Sequence, residues 1–109
     1  GLIFGTPARW ALLSGNLKTF IDRTNPLAAP EKLANKKVVV FAVGQSEGEE
    51  AESIKKAADS VVNFCSDAGM ELIDTLIVEG VLNPSDIDSK ESEFDKVRQL
   101  ANKLVNSLS

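Results

Sequence analysis

The 109-residue sequence contains no histidine and no tyrosine, and it has a single cysteine, Cys65, and a single tryptophan, Trp10. Without histidine the usual general base is absent, so Ser–His and Cys–His catalysis are excluded. One cysteine and no histidine also exclude a disulfide and a His/Cys zinc site within the chain. We therefore expect no catalytic side chain and no metal site.

Long apolar runs and an excess of positive charge are also lacking. No run approaches the roughly 18 residues that a transmembrane helix needs, and no signal peptide is visible. The formal net charge is -4, from 12 basic and 16 acidic residues. Nucleic acids and acidic membranes bind positive surfaces, so neither is expected as a partner. The expected setting is the cytoplasm.

What remains is the composition of an ordinary soluble domain, with 43% hydrophobic and 26% charged residues. Three apolar runs predict strands near residues 2–5, 37–43 and 71–78. The second run, residues 38–43, is β-branched and continuous, which is typical of a strand covered on both faces in a parallel sheet. Pro26 and Pro30 mark a loop before this strand.

Between these runs, apolar residues at helical spacing predict three helices. Ser14 is placed to cap the first helix, and Ser46 and Glu49 are placed as a capping box for the second, which should end at Gly69. The order β-α-β-α-β-α predicts one α/β domain over residues 1–109, with a parallel sheet. The side chains expected to be mostly buried are Phe20, Ile21, Val39, Phe41, Ile54, Val61, Leu76, Val97 and Leu104, and the last helix should carry the apolar stripe Phe94, Val97, Leu100, Ala101, Leu104 and Leu108.

Two adjoining segments carry a more specific pattern. Residues 1–10 read GLIFGTPARW, and residues 14–23 read SGNLKTFIDR. They resemble the central pattern of the flavodoxin-like NAD(P)H-dependent FMN and quinone reductases, in which a strand ends in Gly-Ser/Thr-Pro and a Ser-Gly-x-Leu-Lys-x-Phe-Ile-Asp-Arg helix follows. Residues 44–49 and 68–72 resemble two further loops of that family. The resemblance spans essentially the whole chain and corresponds to the C-terminal portion of such a domain.

The resemblance implies a three-layer flavodoxin-like fold, a parallel sheet with helices on both faces, from which the N-terminal part is missing. Because the first run begins at the start of the chain, the first strand needs a covered edge. Either a partner subunit covers that edge or an N-terminal segment has been lost, and we favour the second interpretation.

Doubly wound sheets bind ligands at the carboxyl ends of their strands. Loops 6–10 and 45–48 follow two adjacent strands there, so both could face one ligand. By resemblance, the residues expected to contact a flavin are Thr6, Pro7, Ala8, Arg9, Trp10, Gln45, Ser46 and Gly48. Trp10 could stack on the ring or, as an alternative, belong to the core or to a dimer interface. Arg9 could meet the flavin or a nicotinamide phosphate.

Flavodoxin-like proteins hold the FMN phosphate in a loop between the first strand and the first helix, and no such segment precedes Gly1. The loop at residues 44–48 is acidic and would repel a phosphate. We therefore expect FMN binding by this chain alone to be weak or absent.

Two functions from different classes remain. The first is an oxidoreductase domain or fragment that transfers hydride from NAD(P)H through FMN to a quinone, a flavin or a similar small-molecule acceptor. The second is a non-catalytic α/β assembly module that has lost its cofactor site. The segment from Trp10 to Ile21 resembles one that flavodoxin-like reductases use for dimer contacts, so a homo-oligomer is expected.

Overall fold

The computed structural model describes residues 1–24, 26 and 32–108. The elements in chain order are β1 (Leu2–Pro7), α1 (Gly15–Arg23), β2 (Lys37–Val43), α2 (Glu52–Asp67), β3 (Glu71–Val78) and α3 (Glu91–Ser107). Short 3₁₀ helices precede α2 and α3, at Gly48–Ala51 and Pro84–Ser89. The alternating order predicted from the sequence is confirmed. Pro30, one of the two prolines predicted to mark a loop, lies outside the described residues.

The strands of the described chain form one parallel sheet in the order β1-β2-β3, with β2 in the centre. β1 pairs with β2 without interruption, from Leu2 opposite Val38 to Pro7 opposite Val43. The register of β3 steps from Leu72 to Asp74 as β2 passes from Val38 to Val39, so β3 contains an irregularity of the β-bulge type there. The predicted parallel pairing is confirmed.

Helices cover both faces of the sheet. On one face, Val38, Val40 and Ala42 of β2 pack against α2, and residues of α1 add to the same core. On the other face, Val39 packs against Leu100 and Leu104 of α3. Alternate side chains of a strand point to opposite faces, so the apolar run of β2 supplies both cores. The predicted three-layer α/β architecture is confirmed.

The ends of two helices follow the predicted signals. The Ser14 hydroxyl caps α1 by accepting a hydrogen bond from the Leu17 amide at 3.2 Å. α2 ends before Gly69, whose φ of +77° lets the Met70 amide reach back to the Cys65 carbonyl at 2.9 Å.

The predicted capping box of Ser46 and Glu49 is wrong. Gly48, with φ of +60°, turns the chain into a 3₁₀ helix whose N-cap residue Glu47 makes no side-chain cap, and α2 begins only at Glu52. A capping box does form elsewhere, between Asn83 and Asp86 before α3. The local pattern of a hydroxyl and a glutamate was therefore present without the backbone geometry that a cap requires.

Most of the predicted core is confirmed. Val39, Ile54, Val61 and Leu104 are buried, and Ile21, Phe41 and Leu76 are mostly buried. The prediction is wrong for Phe20 and Val97, which are 51% and 47% exposed. Phe20 lies beside Leu2 and Phe4, and Val97 lies beside Ile3 and Phe41. Both therefore flank β1, one of the two edge strands, where α1 and α3 have no further element of the described chain against them.

The predicted stripe of α3 is likewise only partly covered. Leu100 and Leu104 are buried, whereas Phe94, Val97, Ala101 and Leu108 are exposed.

Candidate functional site

The carboxyl ends of β1, β2 and β3 meet at one edge of the sheet, and main-chain hydrogen bonds join the loops that leave them. The Ala8 amide donates to the Val43 carbonyl at 2.8 Å, which ties the loop after β1 to the end of β2. The Gly44 amide donates to the Val78 carbonyl at 3.0 Å, which ties the loop after β2 to the end of β3. The structure thus brings the two predicted ligand loops side by side.

The approach of these loops requires glycine at position 44. A Cβ atom there would lie 2.6 Å from Cγ1 of Ile54 and 3.4 Å from Cβ of Ala8. A larger residue would therefore push apart the loop after β1, the loop after β2 and the first turn of α2. Gly44 is a close-packing position between the two loops.

Thr6 is the innermost of the predicted ligand residues and is only 2% exposed. Its hydroxyl accepts a hydrogen bond from the Ser14 amide at 2.9 Å and donates one to the Pro7 carbonyl at 2.8 Å. The side chain is therefore engaged within the protein. Pro7 is exposed and Ala8 is half-buried at the end of the strand.

Arg9 to Leu12 form a tight two-residue turn. The Arg9 amide donates to the Leu12 carbonyl at 3.0 Å, and the Leu12 amide donates to the Arg9 carbonyl at 2.9 Å. Trp10 and Ala11, at its centre, have φ of +52° and +60°. Positive φ at both central residues is the geometry of a type I′ turn, and it costs non-glycine residues roughly 1–2 kcal/mol each.

Trp10 is at the tip of this turn, with 97% of its surface exposed. The alternative that Trp10 packs in the core of this chain is therefore wrong. The whole indole is therefore accessible from solvent, where it could gain apolar contact area from a ligand or partner. Arg9 is also exposed. The turn thus presents a flat aromatic ring and a guanidinium group at the carboxyl edge.

The second predicted loop is occupied by acidic contacts. Gln45 and Gly48 are exposed and Ser46 is half-buried, with its hydroxyl 3.5 Å from that of Ser53. The Gly48 amide donates to a carboxylate oxygen of Glu79 at 3.4 Å. The Glu79 carboxylate thus lies against this loop, and its negative charge disfavours an anion there.

A third loop, after β3, completes this edge and was not predicted as part of the site. The Val81 amide donates to the Gly44 carbonyl at 2.9 Å, and the Gly80 amide donates to the Ser46 carbonyl at 3.3 Å. Gly80 has φ of +68°, and a Cβ there would overlap the carboxylate of Glu47. The glycine two residues after the apolar run at residues 72–78 was the available signal in the sequence.

Three titratable groups outside the two predicted loops have shifted pKa values. Hydrogen bonds from the Asn83 and Leu82 amides lower the pKa of Asp86 below its ordinary value. The hydrogen bond from Lys103 lowers the pKa of Asp74. Burial raises the pKa of the Cys65 thiol to about 11, so the thiol stays protonated at neutral pH. Cys65 is packed in the core as predicted, and its lack of reactivity stays a prediction.

The edge fits one part of FMN better than the other. An isoalloxazine ring needs an aromatic or apolar wall, and the exposed Trp10 indole is a side chain of that kind at this edge. A phosphate needs free amides and positive charge, whereas the Gly48 amide faces the Glu79 carboxylate. The chemistry of the described residues therefore suits the ring better than the phosphate.

Neither a metal site nor a membrane-spanning helix is found in the described part of the chain. No group of three or more His, Cys, Asp or Glu residues there could hold a metal ion. No helix among these residues is long and apolar enough to cross a membrane.

Comparisons with known proteins agree with this geometry. Residues 1–66 match the model of a family described as NADPH-dependent FMN reductase. Over 41 residues the chain is 46% identical to the NAD(P)H dehydrogenase (quinone) of Chelativorans sp. (strain BNC1), a stretch that covers 38% of this chain and 21% of that protein.

A solved structure, the flavodoxin, WrbA-like protein from Agrobacterium tumefaciens, aligns with a TM-score of 0.62 and 16% identity. The alignment covers 94% of this chain and 66% of that one. This likeness shows the flavodoxin-like fold. The chain thus spans less than two thirds of each of these two proteins.

Proposed function

The chain belongs to the NADPH-dependent FMN reductase family, and we propose that it forms the ring-binding part of a flavin-dependent oxidoreductase. The observation that carries the proposal is the pairing of two loops at the carboxyl edge. Ala8 of the first loop binds the Val43 carbonyl at the end of β2 and lies against Gly44 of the second loop, and the exposed Trp10 turn follows Ala8 along the chain. Ligands of doubly wound sheets bind at this edge.

The reaction that we propose is the reduction of a quinone, a flavin or a similar small molecule by NAD(P)H. FMN, when bound, would supply the redox chemistry, namely hydride and two-electron transfer. For a quinone, NAD(P)H contributes the hydride and water contributes one further proton, which yields the hydroquinone and NAD(P)⁺. No protein acid or base is needed, which agrees with a chain that has no histidine and no tyrosine.

The residues that we assign to the flavin ring act by position and charge. Pro7 and Ala8 bring the main chain to the edge, and the Trp10 indole forms an aromatic wall. Arg9 is exposed beside it and carries the positive charge for the flavin or for the phosphate of NAD(P)H. Gln45, Ser46 and Gly48 border the ring on the β2 side. Thr6 lies beneath the loop.

The FMN phosphate, in our proposal, is held by residues other than those described. The support is electrostatic, because Glu47 and Glu79 lie at the only glycine-rich loop among the described residues of this edge. Two acidic side chains there disfavour a dianion. We therefore propose that this chain alone binds FMN weakly and that a strand and loop placed before Gly1 strengthen binding.

An FMN titration tests these assignments. The 109-residue chain is compared with a chimera in which the N-terminal strand and loop of the Chelativorans quinone dehydrogenase precede Gly1. We expect tight binding and a protein-bound flavin spectrum only in the chimera. Equal affinity in both proteins would refute the assignment of the phosphate to residues outside this chain.

A charge placed at the ring site tests the location of the ring. In the chimera, Pro7→Glu should weaken FMN binding by at least tenfold, because a carboxylate at the loop repels the flavin. Val105→Glu adds the same charge on α3, whose C-terminal turns lie near Gly1 at the opposite end of the sheet. This control should leave FMN affinity unchanged. A harmless Pro7→Glu would place the ring elsewhere.

The second candidate, a non-catalytic assembly module, is supported by the apolar surface beside β1. Ile3 is 61% exposed there, and Phe20 and Val97 are exposed on either face. We propose that the chain self-associates through Trp10 and α1. Light scattering across a wide concentration range should then show a molar mass above that of the monomer. We also propose a cytoplasmic location, which cell fractionation would test. Self-association together with a chimera that never takes up FMN would favour the assembly module over the reductase.

A further inference from the structure

The loop between β1 and α1 is closed by a single buried hydroxyl group. Oγ1 of Thr6 accepts a hydrogen bond from the amide of Ser14, which lies eight residues further along the chain. The same hydroxyl donates a hydrogen bond to the carbonyl of Pro7, the next residue. Ser14 in turn caps α1 with its own hydroxyl. The Thr6 side chain thus ties the start of the loop to its end, at the residue that caps α1.

The turn inside this loop needs such restraint. Trp10 and Ala11 both have positive φ without being glycine, and a backbone of this kind persists only where its surroundings hold it. Besides the packing of Ala8 and Leu13 on the core, hydrogen bonds restrain the loop in three places: the Arg9–Leu12 pair, the bond from Ala8 to Val43, and the Thr6 hydroxyl. The first two are main-chain bonds that many sequences can form. The third depends on one side chain.

We propose that Thr6 is a positioning residue that holds the Arg9–Leu12 turn in place, with Trp10 at its tip, for the ligand at the carboxyl edge. Its own side chain is buried and directed into the protein, so it acts through the turn. The consequence for FMN rests on the proposed function, whereas the restraint on the turn is a property of the chain itself.

A purely space-filling role for Thr6 makes a different prediction. Thr6→Val keeps the branched shape and removes the hydroxyl, so packing is preserved while the Ser14 amide loses its acceptor. If Thr6 only fills space, the turn stays ordered in this variant. If the hydroxyl holds the turn, the turn loosens, and Thr6→Ser restores it because serine keeps the hydroxyl.

Amide relaxation by NMR in the 109-residue chain reads this out without FMN. In the native protein we expect order parameters near 0.85 for the Trp10 and Ala11 amides, and in Thr6→Val below about 0.6. Thr6→Ser should return them to the native range. Thr19→Val, which removes an exposed hydroxyl bonded to the Gly15 carbonyl within α1, is the matched control and should leave the turn ordered. Native order in Thr6→Val would overturn the proposal.

Hydrogen exchange gives the same answer without a substitution, should Thr6→Val fail to fold. The Ser14 amide should exchange at least a hundredfold more slowly than the Gly15 amide, because its acceptor is buried. Equal exchange at the two positions would overturn the proposal.

FMN binding then separates this proposal from the proposed function. In the chimera, Thr6→Val should raise the Kd for FMN about five- to tenfold, because the competent turn is populated for only part of the time. Thr6→Ser should remain within about threefold of the parent. A loosened turn with an unchanged Kd would support the restraint by Thr6 and overturn the placement of the flavin ring on this loop.

Discussion

The two faces of the sheet are built from the same central strand, yet one of them is covered more fully than the other. On the side of α1 and α2, Val38, Val40 and Ala42 of β2 lie in a core whose α2 residues are fully enclosed. On the side of α3, Val39 is enclosed, but the apolar stripe of the helix continues past Leu100 and Leu104 into solvent. The difference therefore lies in what covers β1.

Simple spacing explains the contrast. Helices pack about 8–10 Å apart and strands lie roughly 4.8 Å apart, so one helix covers about two strands. On one face, α2 contacts all three strands, and α1 adds Leu17 and Phe20 beside β1. On the other face, α3 alone covers β2 and β3, which leaves Ile3 of β1 and Val97 of α3 partly exposed. The face of α2 is thus the better covered of the two, although Phe20 of α1 stays half-exposed beside β1.

Cavity formation should separate the faces most clearly. Ile54→Ala should lower the free energy of unfolding by about 4 kcal/mol. Ile54 of α2 is enclosed against β2, so the cavity left by the shorter side chain would stay largely unfilled. Val97→Ala, on the less covered face, should lower it by less than about 1 kcal/mol. Urea unfolding followed by far-UV circular dichroism measures both. Equal costs would show that the two faces are alike.

The central strand itself offers the next largest effect. Phe41→Ala should cost about 3 kcal/mol, the lower end of the range for phenylalanine, because the ring is mostly but not fully buried on the α3 side of β2. The same unfolding experiment applies. A cost below about 1 kcal/mol would mean that β2 behaves as a peripheral strand.

A steric pair sharpens the comparison within the α3 face. A Cβ on Gly5 of β1 would overlap the ring of Phe41, so Gly5→Ala should destabilise the fold by about 1–3 kcal/mol. In a Phe41→Leu background the same change should cost less than about 0.5 kcal/mol, because the shorter side chain leaves room. A double-mutant cycle measures this coupling, and additive effects would show that the ring does not cover Gly5.

The smallest effect concerns an ion pair on the α3 face. Lys103 of α3 binds Asp74 of β3 at 2.6 Å, and both side chains are substantially exposed. Asp74→Asn should therefore cost less than about 1 kcal/mol at pH 7. Lys18 and Asp22 form an exposed i,i+4 pair on α1, so Asp22→Asn is the matched control and should cost no more than about 0.5 kcal/mol.

The pH dependence of this pair has a definite sign. Lys103 lowers the folded-state pKa of Asp74, so the stabilisation from the ionised Asp74 is fully present above the unfolded-state pKa of 3.8. This stabilisation is lost as the pH falls through the lower folded-state pKa of Asp74. The difference between Asp74→Asn and the parent should thus vanish at acid pH. A difference that persists there would attribute the effect of Asp74 to something other than its charge.

The sequence predicted the elements well because their signals are local. The unbroken apolar run of β2, the cap at Ser14 and the stop at Gly69 each depend on a few neighbouring residues. The failed capping box at Ser46 shows the limit of such signals. A hydroxyl and a glutamate had the right spacing, but the positive φ at Gly48 redirected the chain before α2 began.

Burial and site geometry were predicted less completely, because they depend on distant parts of the chain. Helical periodicity shows that Phe20 and Val97 lie on apolar stripes, but it cannot show whether another element covers them. The two loops at the carboxyl edge followed from parallel topology alone. The exposure of Trp10 and the burial of the Thr6 hydroxyl could not be predicted in this way. Both depend on the hydrogen bonds that form within residues 6–14.

The position of Trp10 also decides what light can report about this protein. The chain has one tryptophan and no tyrosine, so its near-ultraviolet fluorescence comes almost wholly from that indole. The indole is already surrounded by water in the folded state, so unfolding should change its emission little. Emission from Trp10 would therefore report events at the turn, such as quenching by a stacked ring. It would change little when the sheet unfolds.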